Sequence, residues 1–371
     1  MALTEGYLWW AFVRRWRRCV RWVCALPLLA AAAGLLVGWL ADWPQVWLMS
    51  FLSYALFFFV PKLLFSVCSA VGRLVRRWSP RLSRLADGLG LLAALAGLCI
   101  TLYGSVWGWR RLVVHEQVLT FPDLPAAFDG YTLVQLSDLH IGTFAFSPAT
   151  VDDIVRQVNA LQPDAVLFTG DLVNLEPSEL APFVRTLSEL RARDGVFSIL
   201  GNHDYGGYVR HATPDSKRRC QEELQACQRA MGWQLLRNEH RLIRRGADSL
   251  AVVGVENAGL PPYPAYSDLP AALEGLSAGS FQILLSHDPT HWRREVLPRS
   301  AVQLTLSGHT HAMQVLIAGF TPSRWTYAEW GGCYREGARV LYVNTGTGSN
   351  LPFRFGAWPE ITVLRLKRGH D

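Results

Sequence analysis

Ala301-Val302-Gln303-Leu304-Thr305-Leu306-Ser307-Gly308-His309-Thr310-His311 is an apolar, β-rich run that stops at Ser-Gly and then presents two histidines two positions apart. Such a pattern reads as a strand that ends in a turn, with imidazoles projecting beyond its carboxyl end. Open α/β sheets place their sites at that end of their strands. A lone His-x-His reads equally well as two exposed loop histidines, so its meaning depends on partners elsewhere in the chain. Four earlier strand ends supply them. Ser137-Asp138-Leu139-His140 follows the run Tyr131–Leu136, and Gly170-Asp171 follows Ala165–Thr169. Gly201-Asn202-His203-Asp204 follows Val196–Leu200, and Ser286-His287-Asp288 follows Phe281–Leu285. Carboxylate oxygens and neutral imidazoles are the donors that hold Mn, Fe, Zn or Ni, and an aspartate has two oxygens with which to bridge two ions. Two such ions about 3.5–4 Å apart activate a water between them and neutralise a phosphoryl group in flight.

Working outward, further strands are expected at Leu250–Val255, Val340–Val343 and Ile361–Leu366. Segments 148–161, 177–192, 215–231 and 268–276 read as helices, with Pro148 and Pro177 as first-turn residues. Residues 256–267, with Pro261-Pro262-Tyr263-Pro264, read as a surface loop. Early strand–helix alternation followed mostly by strands predicts an α/β domain of about 250 residues with room for two sheets. Gly346 and Gly348 form no phosphate loop, since no Gly-Lys-Ser/Thr follows them.

The series Asp-x-His, Gly-Asp, Gly-Asn-His-Asp, His and Gly-His-x-His, complete and in order from Asp138 to His311, resembles the calcineurin-like metallophosphoesterases. Asn344-Thr345-Gly346-Thr347-Gly348, Pro352-Phe353-Arg354-Phe355 and Pro359-Glu360-Ile361 look like the bacterial membrane-anchored branch of that superfamily. The resemblance implies an αββα sandwich and two divalent metal ions. Asp138, His140 and His311 would hold one ion, Asn202, His287 and His309 the other, and Asp171 would bridge them. His203 would stay free of metal near the leaving oxygen, with Asp204 orienting it as an acid–base pair; a turn-stabilising carboxylate is the other reading of Asp204. Asn174 reads as a loop hydrogen bonder and His291 as a surface helix residue. For Arg354, a contact to substrate phosphate and a structural ion pair stand level. His115, His211, His240 and His370 have no partners that the sequence names.

Residues 1–111 lie outside that pattern. Three apolar stretches, Arg21–Leu40, Trp43–Gly72 and Gly88–Trp109, each reach the roughly 20 residues needed to cross a bilayer. Lys62 beside Pro61 allows a shorter second span that ends near Val60 in an interfacial turn. A cleaved signal peptide competes for the first stretch, but two further spans favour retention in the membrane. Trp9, Trp10, Trp16, Trp22, Trp39, Trp43, Trp47, Trp78, Trp107 and Trp109 cluster near the ends of these runs, as in an interfacial aromatic belt. Five arginines between Arg14 and Arg21 and five between Arg73 and Arg84 flank loops on one side, whereas Asp42 is the charge between the first two spans. The positive-inside rule then puts the amino terminus in the cytoplasm and, with three spans, residues 112–371 outside it.

The formal charge of +6 is not a nucleic-acid signal. Residues 1–111 hold 13 Lys/Arg and 3 Asp/Glu, and residues 112–371 hold 23 and 27, so the basic character belongs to the membrane segment. Seven cysteines without a Cys-x-x-Cys pair indicate neither a zinc knuckle nor a disulfide framework. The expectation is a multi-pass membrane protein, anchored by residues 1–111, whose residues 112–371 hydrolyse a phosphoester or phosphoanhydride with metal-activated water, as a phosphodiesterase or pyrophosphatase. The anchor points to the bilayer as partner and to a phospholipid or lipid-linked pyrophosphate as substrate; neither a specific nucleic acid nor a protein partner is implied. One branch of the resembled superfamily cleaves UDP-2,3-diacylglucosamine on the cytoplasmic side, which the arginine bias disfavours here. The rival readings are an idle metal-binding or sensing domain and an extracytoplasmic nuclease.

Overall fold

The computed structural model describes residues 1–40, 50–277 and 279–369. Asp42, Trp43, Trp47 and His370 lie outside the described residues, as does the start of the second apolar run. The chain divides into two compact units, Met1–Val106 and Trp107–Asp371.

In the first unit a helix at Ala2–Ala11 precedes the apolar helices. Arg21–Leu40, Ser50–Val75 and Pro80–Arg110 are long and apolar enough to cross a membrane. The second does not stop near Val60. A widened turn at Ala55–Phe59 leads into the helix Val60–Val75, with Pro61 in its first turn. A widened turn is a place where a helix can absorb the missing N–H of proline. Lys62, whose charge argued for a break, instead pairs with Glu5 at 2.7 Å. Trp9, Trp10, Trp16, Trp22, Trp39, Trp78 and Trp107 are exposed on the protein, as a belt requires, but Trp109 is buried and packs on Phe144.

The second unit is built on twelve strands. They are β1 (Val113–Phe121), β2 (Thr132–Leu136), β3 (Ala165–Phe168), β4 (Val196–Ser198), β5 (Gln234–Leu235) and β6 (Glu239–Arg245), then β7 (Asp248–Gly254), β8 (Phe281–Leu285), β9 (Leu304–Ser307), β10 (Gly332–Glu336), β11 (Arg339–Val343) and β12 (Glu360–Arg368). One sheet runs β1-β12-β2-β3-β4-β5 and the other β10-β11-β9-β8-β7-β6. Strands β2 to β5 are mutually parallel, as are β7, β8, β9 and β11, while β12 runs against β2, β6 against β7 and β10 against β11.

Side-chain alternation explains the layering. In β3, Ala165 and Leu167 enter a core shared with Ile283, Leu304 and Val340 of the other sheet, whereas Val166 and Phe168 face helix Pro148–Ala160. In β8, Phe281, Ile283 and Leu285 point into the shared core, while Leu284 meets Trp292 and Val296 on the outer face. Both faces are therefore covered, which is why these strands read as continuous apolar runs. Val151, Ile154, Val155 and Val158 form the buried stripe of Pro148–Ala160, each contributing roughly 1.5–3 kcal/mol of burial. The result is the helix–sheet–sheet–helix sandwich expected from the sequence.

Segment 177–192 is not one helix. Pro182 cannot donate to a helical ladder, and the stretch splits into a short turn at Pro177–Leu180 and a single helical turn at Val184–Leu187. Strands β1, β5, β6 and β10 were absent from the sequence reading. β6 and β10 are sheet edges that carry exposed Arg241 and Arg244 and exposed Arg335 and Glu336, and β1 is an edge with four consecutive exposed residues, so none carries a clean apolar signal.

Candidate metal centre

The carboxyl ends of β2, β3, β4, β8 and β9 converge on one rim. Asp138 and His140 follow β2, Asp171 follows β3, Asn202 and His203 open a turn after β4, His287 follows β8, and His309 and His311 follow β9. This convergence demands unusual backbone. Among the described residues, eleven non-glycine residues have positive φ, and five of them are Asp138, His140, Asp171, His309 and His311. Left-handed backbone away from glycine costs on the order of 1–3 kcal/mol per residue and persists where function or packing over-determines it. Gly308 lets the β9 end approach: a Cβ there would collide with Ser137 Oγ and the Asp138 carboxylate.

The donor atoms cluster tightly. Asp138, His140 and His311 form one group with ligand atoms within 4.8 Å of one another, Asp171, His287 and His309 a second, and His140, Asp171 and His203 a third. His140 Nε2 lies 3.0 Å from His311 Nε2, and His311 Nε2 lies 3.3 Å from Asp138 Oδ1. Asp171 Oδ2 sits 3.2 Å from His287 Nε2 and 3.7 Å from His140 Nε2, between the two groups. Asn202 Oδ1 joins the second group at 3.2 Å from His287 Nε2, which is 3.3 Å from His309 Nδ1. Ligands about 2.0–2.2 Å from one cation stand roughly 2.9–3.5 Å apart at its octahedral and tetrahedral edges. The donor set therefore fits divalent cations in both chemistry and spacing.

Electrostatics agree for His140, His309 and His311. Burial, reinforced by His203, pushes the His140 imidazole down to about 3, and burial with His287 holds His309 down to about 4. His311 is also held well below the ordinary histidine range by burial and by His140 and Arg354. Neutral imidazole is the form that donates a lone pair to a cation. Burial lifts Asp138 to about 6. For Asp171 burial works the same way, but His287 and His203 outweigh it and hold the carboxyl well below its usual range. The reciprocal effect is on His287: burial opposes its charge, yet Asp171 and Asp138 raise it to about 10.

Comparison with known proteins agrees with this geometry. The sequence profile of the calcineurin-like phosphoesterases matches residues 131–313. The chain is 30% identical to the uncharacterized metallophosphoesterase YkuE of Bacillus subtilis, over 77% of its own length and 98% of the relative's. It belongs to the calcineurin-like phosphoesterase family. It is also 29% identical to a transmembrane protein with metallophosphoesterase domain from Danio rerio, over 99% of this chain and 87% of that one. A UDP-2,3-diacylglucosamine pyrophosphatase, LpxG of Chlamydia trachomatis, is 27% identical over 70% of this chain and 92% of the relative.

In this metallophosphoesterase Asp204 does not orient His203. Its buried carboxylate accepts from four backbone N–H groups: Asp171 at 2.8 Å, Leu172 at 2.9 Å, Val173 at 3.2 Å and Gly201 at 2.9 Å. It ties the β3 turn to the β4 turn, the structural alternative that the sequence left open. His203 is oriented by Asn174 instead, whose carbonyl oxygen lies 2.7 Å from Nδ1. Asn174 is held in turn by Thr143 and Glu179. Arg354 is fully buried and has a structural role: it donates to the carbonyls of Thr345, Gly348 and Ala357, and its Nη2 lies 2.9 Å from His311 Nδ1. His291 is buried rather than on the surface, between Ser286 and Glu295.

Three tyrosines escaped the sequence reading. Tyr327 OH lies 2.9 Å from His309 Nε2, Tyr208 OH accepts from Asn202 at 2.7 Å while its ring stacks on His203, and Tyr263 meets the His309 ring edge to face. Tyr263 lies in the 256–267 stretch read as a surface loop, but no spacing marks the individual residues.

Proposed function

We propose that this protein is a hydrolase of phosphoesters or phosphoanhydrides that uses two divalent cations and acts on a lipid-linked substrate. The observation that carries the reading is the Asp171 carboxylate, whose Oδ2 stands between a His140 group and a His287 group, as a bridging ligand must. Asp138, His140 and His311 would hold one cation and Asn202, His287 and His309 the other, with Asp171 shared. Cations held there supply Lewis acidity toward a phosphoryl oxygen and make water nucleophilic at neutral pH.

The protein's own groups do the rest. His203 has Nδ1 engaged by the Asn174 carbonyl, which orients the ring and leaves Nε2 for a proton transfer to the departing oxygen. Tyr208 limits the ring's rotation by stacking at 4.1 Å. Asp204 keeps the Asp171 and Asn202 turns in register and stands outside the proton chemistry. The helices that can cross a membrane, and a relative named as a UDP-2,3-diacylglucosamine pyrophosphatase, support a lipid-linked pyrophosphate as the substrate class. The arginine bias of the first 111 residues supports a catalytic unit on the extracytoplasmic side. That location disfavours the UDP-linked compound itself.

The test is turnover of bis(p-nitrophenyl) phosphate with Mn(II) by the full chain and by Asp171→Ala. The parent should turn over and the variant should not; equal, negligible rates in both would favour an idle metal-binding domain. His203→Asn should keep its metal and lose rate, whereas loss of metal would make His203 a ligand. Added protease that cannot reach the carboxyl-terminal unit of intact cells, yet does so once they are broken, would overturn the extracytoplasmic assignment.

A further inference from the structure

The loop from Ala312 to Tyr327 begins beside His311 and ends on Tyr327, whose hydroxyl touches His309, so both of its ends are fastened to the metal centre. Its middle is tied to the neighbouring stretch of chain by backbone hydrogen bonds. Leu316 donates to the Phe355 carbonyl at 2.8 Å and the Phe355 N–H returns to Gln314 at 2.9 Å. Ile317 and Phe320 exchange two 2.9 Å backbone hydrogen bonds around Ala318-Gly319, both with positive φ, which makes a two-residue hairpin tip. Thr321 Oγ1 donates to the Ala312 carbonyl and closes the base.

On this frame Met313 is 44% exposed, Ile317 47%, Phe320 45% and Trp325 78%, and the Phe320 and Trp325 rings pack edge to face. Hydrogen bonds at base, middle and tip hold the loop with these side chains outward. Four exposed apolar side chains on one short loop mark a contact with something apolar. The charge of the loop says what. Between Ala312 and Tyr327 the single Lys, Arg, Asp, Glu or His is the exposed Arg324, next to Trp325, although residues 112–371 carry 23 Lys/Arg against 27 Asp/Glu. An apolar tip with one cation and an interfacial tryptophan suits a bilayer surface: Ile317 and Phe320 toward the acyl boundary, Trp325 at headgroup level and Arg324 on phosphates. The same chain carries helices that can cross a membrane, which keeps lipid at high local concentration.

We propose that residues 313–325 form a lip that contacts an anionic lipid surface and admits a membrane-resident phosphate compound to the metal centre. The admission step rests on the hydrolase reading above; the lipid contact does not.

Full-length protein is reconstituted in phosphatidylcholine–phosphatidylglycerol vesicles carrying a clickable phospholipid, with the photocrosslinker p-benzoylphenylalanine at Ile317 or at Ala247. Ala247 is exposed in the β6–β7 turn, at the start of a strand parallel to β8 and β9 and so on the opposite rim. Lipid capture at position 317 should exceed that at 247 by roughly tenfold, given the apolar area offered. Equal capture, or adducts to protein in place of lipid, overturns the proposal. A second measurement compares turnover of soluble bis(p-nitrophenyl) phosphate with that of an acylated p-nitrophenyl phosphodiester dissolved in the vesicles. Combining Ile317→Ser, Phe320→Ser and Trp325→Ser should lower the lipid-to-soluble rate ratio by roughly tenfold or more. An unchanged ratio sinks the admission step. If the parent turns over neither compound, the hydrolase reading fails, and the crosslinking still decides the lipid contact.

Discussion

Adding a divalent cation to the metal-free protein should expel protons, and the number is set by two residues. His287 is raised to about 10 because Asp171 at 3.2 Å and the nearby Asp138 outweigh the penalty of burial. A protonated imidazole cannot ligate, so at pH 8, where about 99% of such a group is charged, filling the centre should release about one proton per protein. Burial holds Asp138 at about 6, so at pH 6 roughly half a further proton should leave. Affinity should accordingly climb about tenfold per pH unit between pH 7 and 9 and level off near 10. The sign for the empty fold is opposite. A histidine raised from 6.5 to about 10 contributes stability that is complete below 6.5 and is lost as pH rises through about 10. Titration calorimetry of the full chain with Mn(II), in two buffers of different ionisation enthalpy, counts the protons. His287→Asn should bring the pH 8 count close to zero. A parent that binds at pH 8 without releasing a proton, or with pH-independent affinity, would refute the assignment of His287 as the proton-bearing ligand.

Two further outcomes follow from hydrogen bonds. Asp204→Asn presents an amide NH₂ to two of the four N–H groups that the carboxylate now accepts, a loss of roughly 2–4 kcal/mol, read as a lower apparent melting temperature with an unchanged shape of the pH–rate curve. An unchanged melting temperature with a vanished limb of that curve would restore Asp204 as an acid–base partner. Tyr327→Phe removes the hydroxyl at His309 Nε2 and should weaken one of the two proposed cations by roughly 10–100-fold in equilibrium dialysis, while a uniform loss of both would place the tyrosine's effect elsewhere.

Legibility followed burial. Strands covered on both faces announced themselves as apolar runs, and β8 at Phe281–Leu285 has the bounds read from sequence. The residues just past those strands were visible because turns there carry Asp, Asn and His in a fixed order. Edge strands such as β6, with Arg241, Arg244 and Arg245, gave no such contrast. The helix expected at 177–192 failed at Pro182, a residue whose consequence was available in the sequence. The role of Asp204 was not: adjacency to His203 suggested a pair, whereas the backbone turns the two side chains to different tasks. Likewise Tyr327 lies eighteen positions from the histidine it touches, a separation that no local pattern encodes.

The left-handed main chain at Asp138, His140, Asp171, His309 and His311 reaches beyond cation chemistry. Valine, isoleucine and threonine are poorly accommodated in that conformation, because a second branch at Cβ crowds the carbonyl. A descendant that abandoned its ions would therefore not be free to fill these sites with ordinary core residues. It would be steered toward glycine, asparagine or aspartate, so a dead copy of this gene would still bear the imprint of a catalytic past in its permitted alphabet.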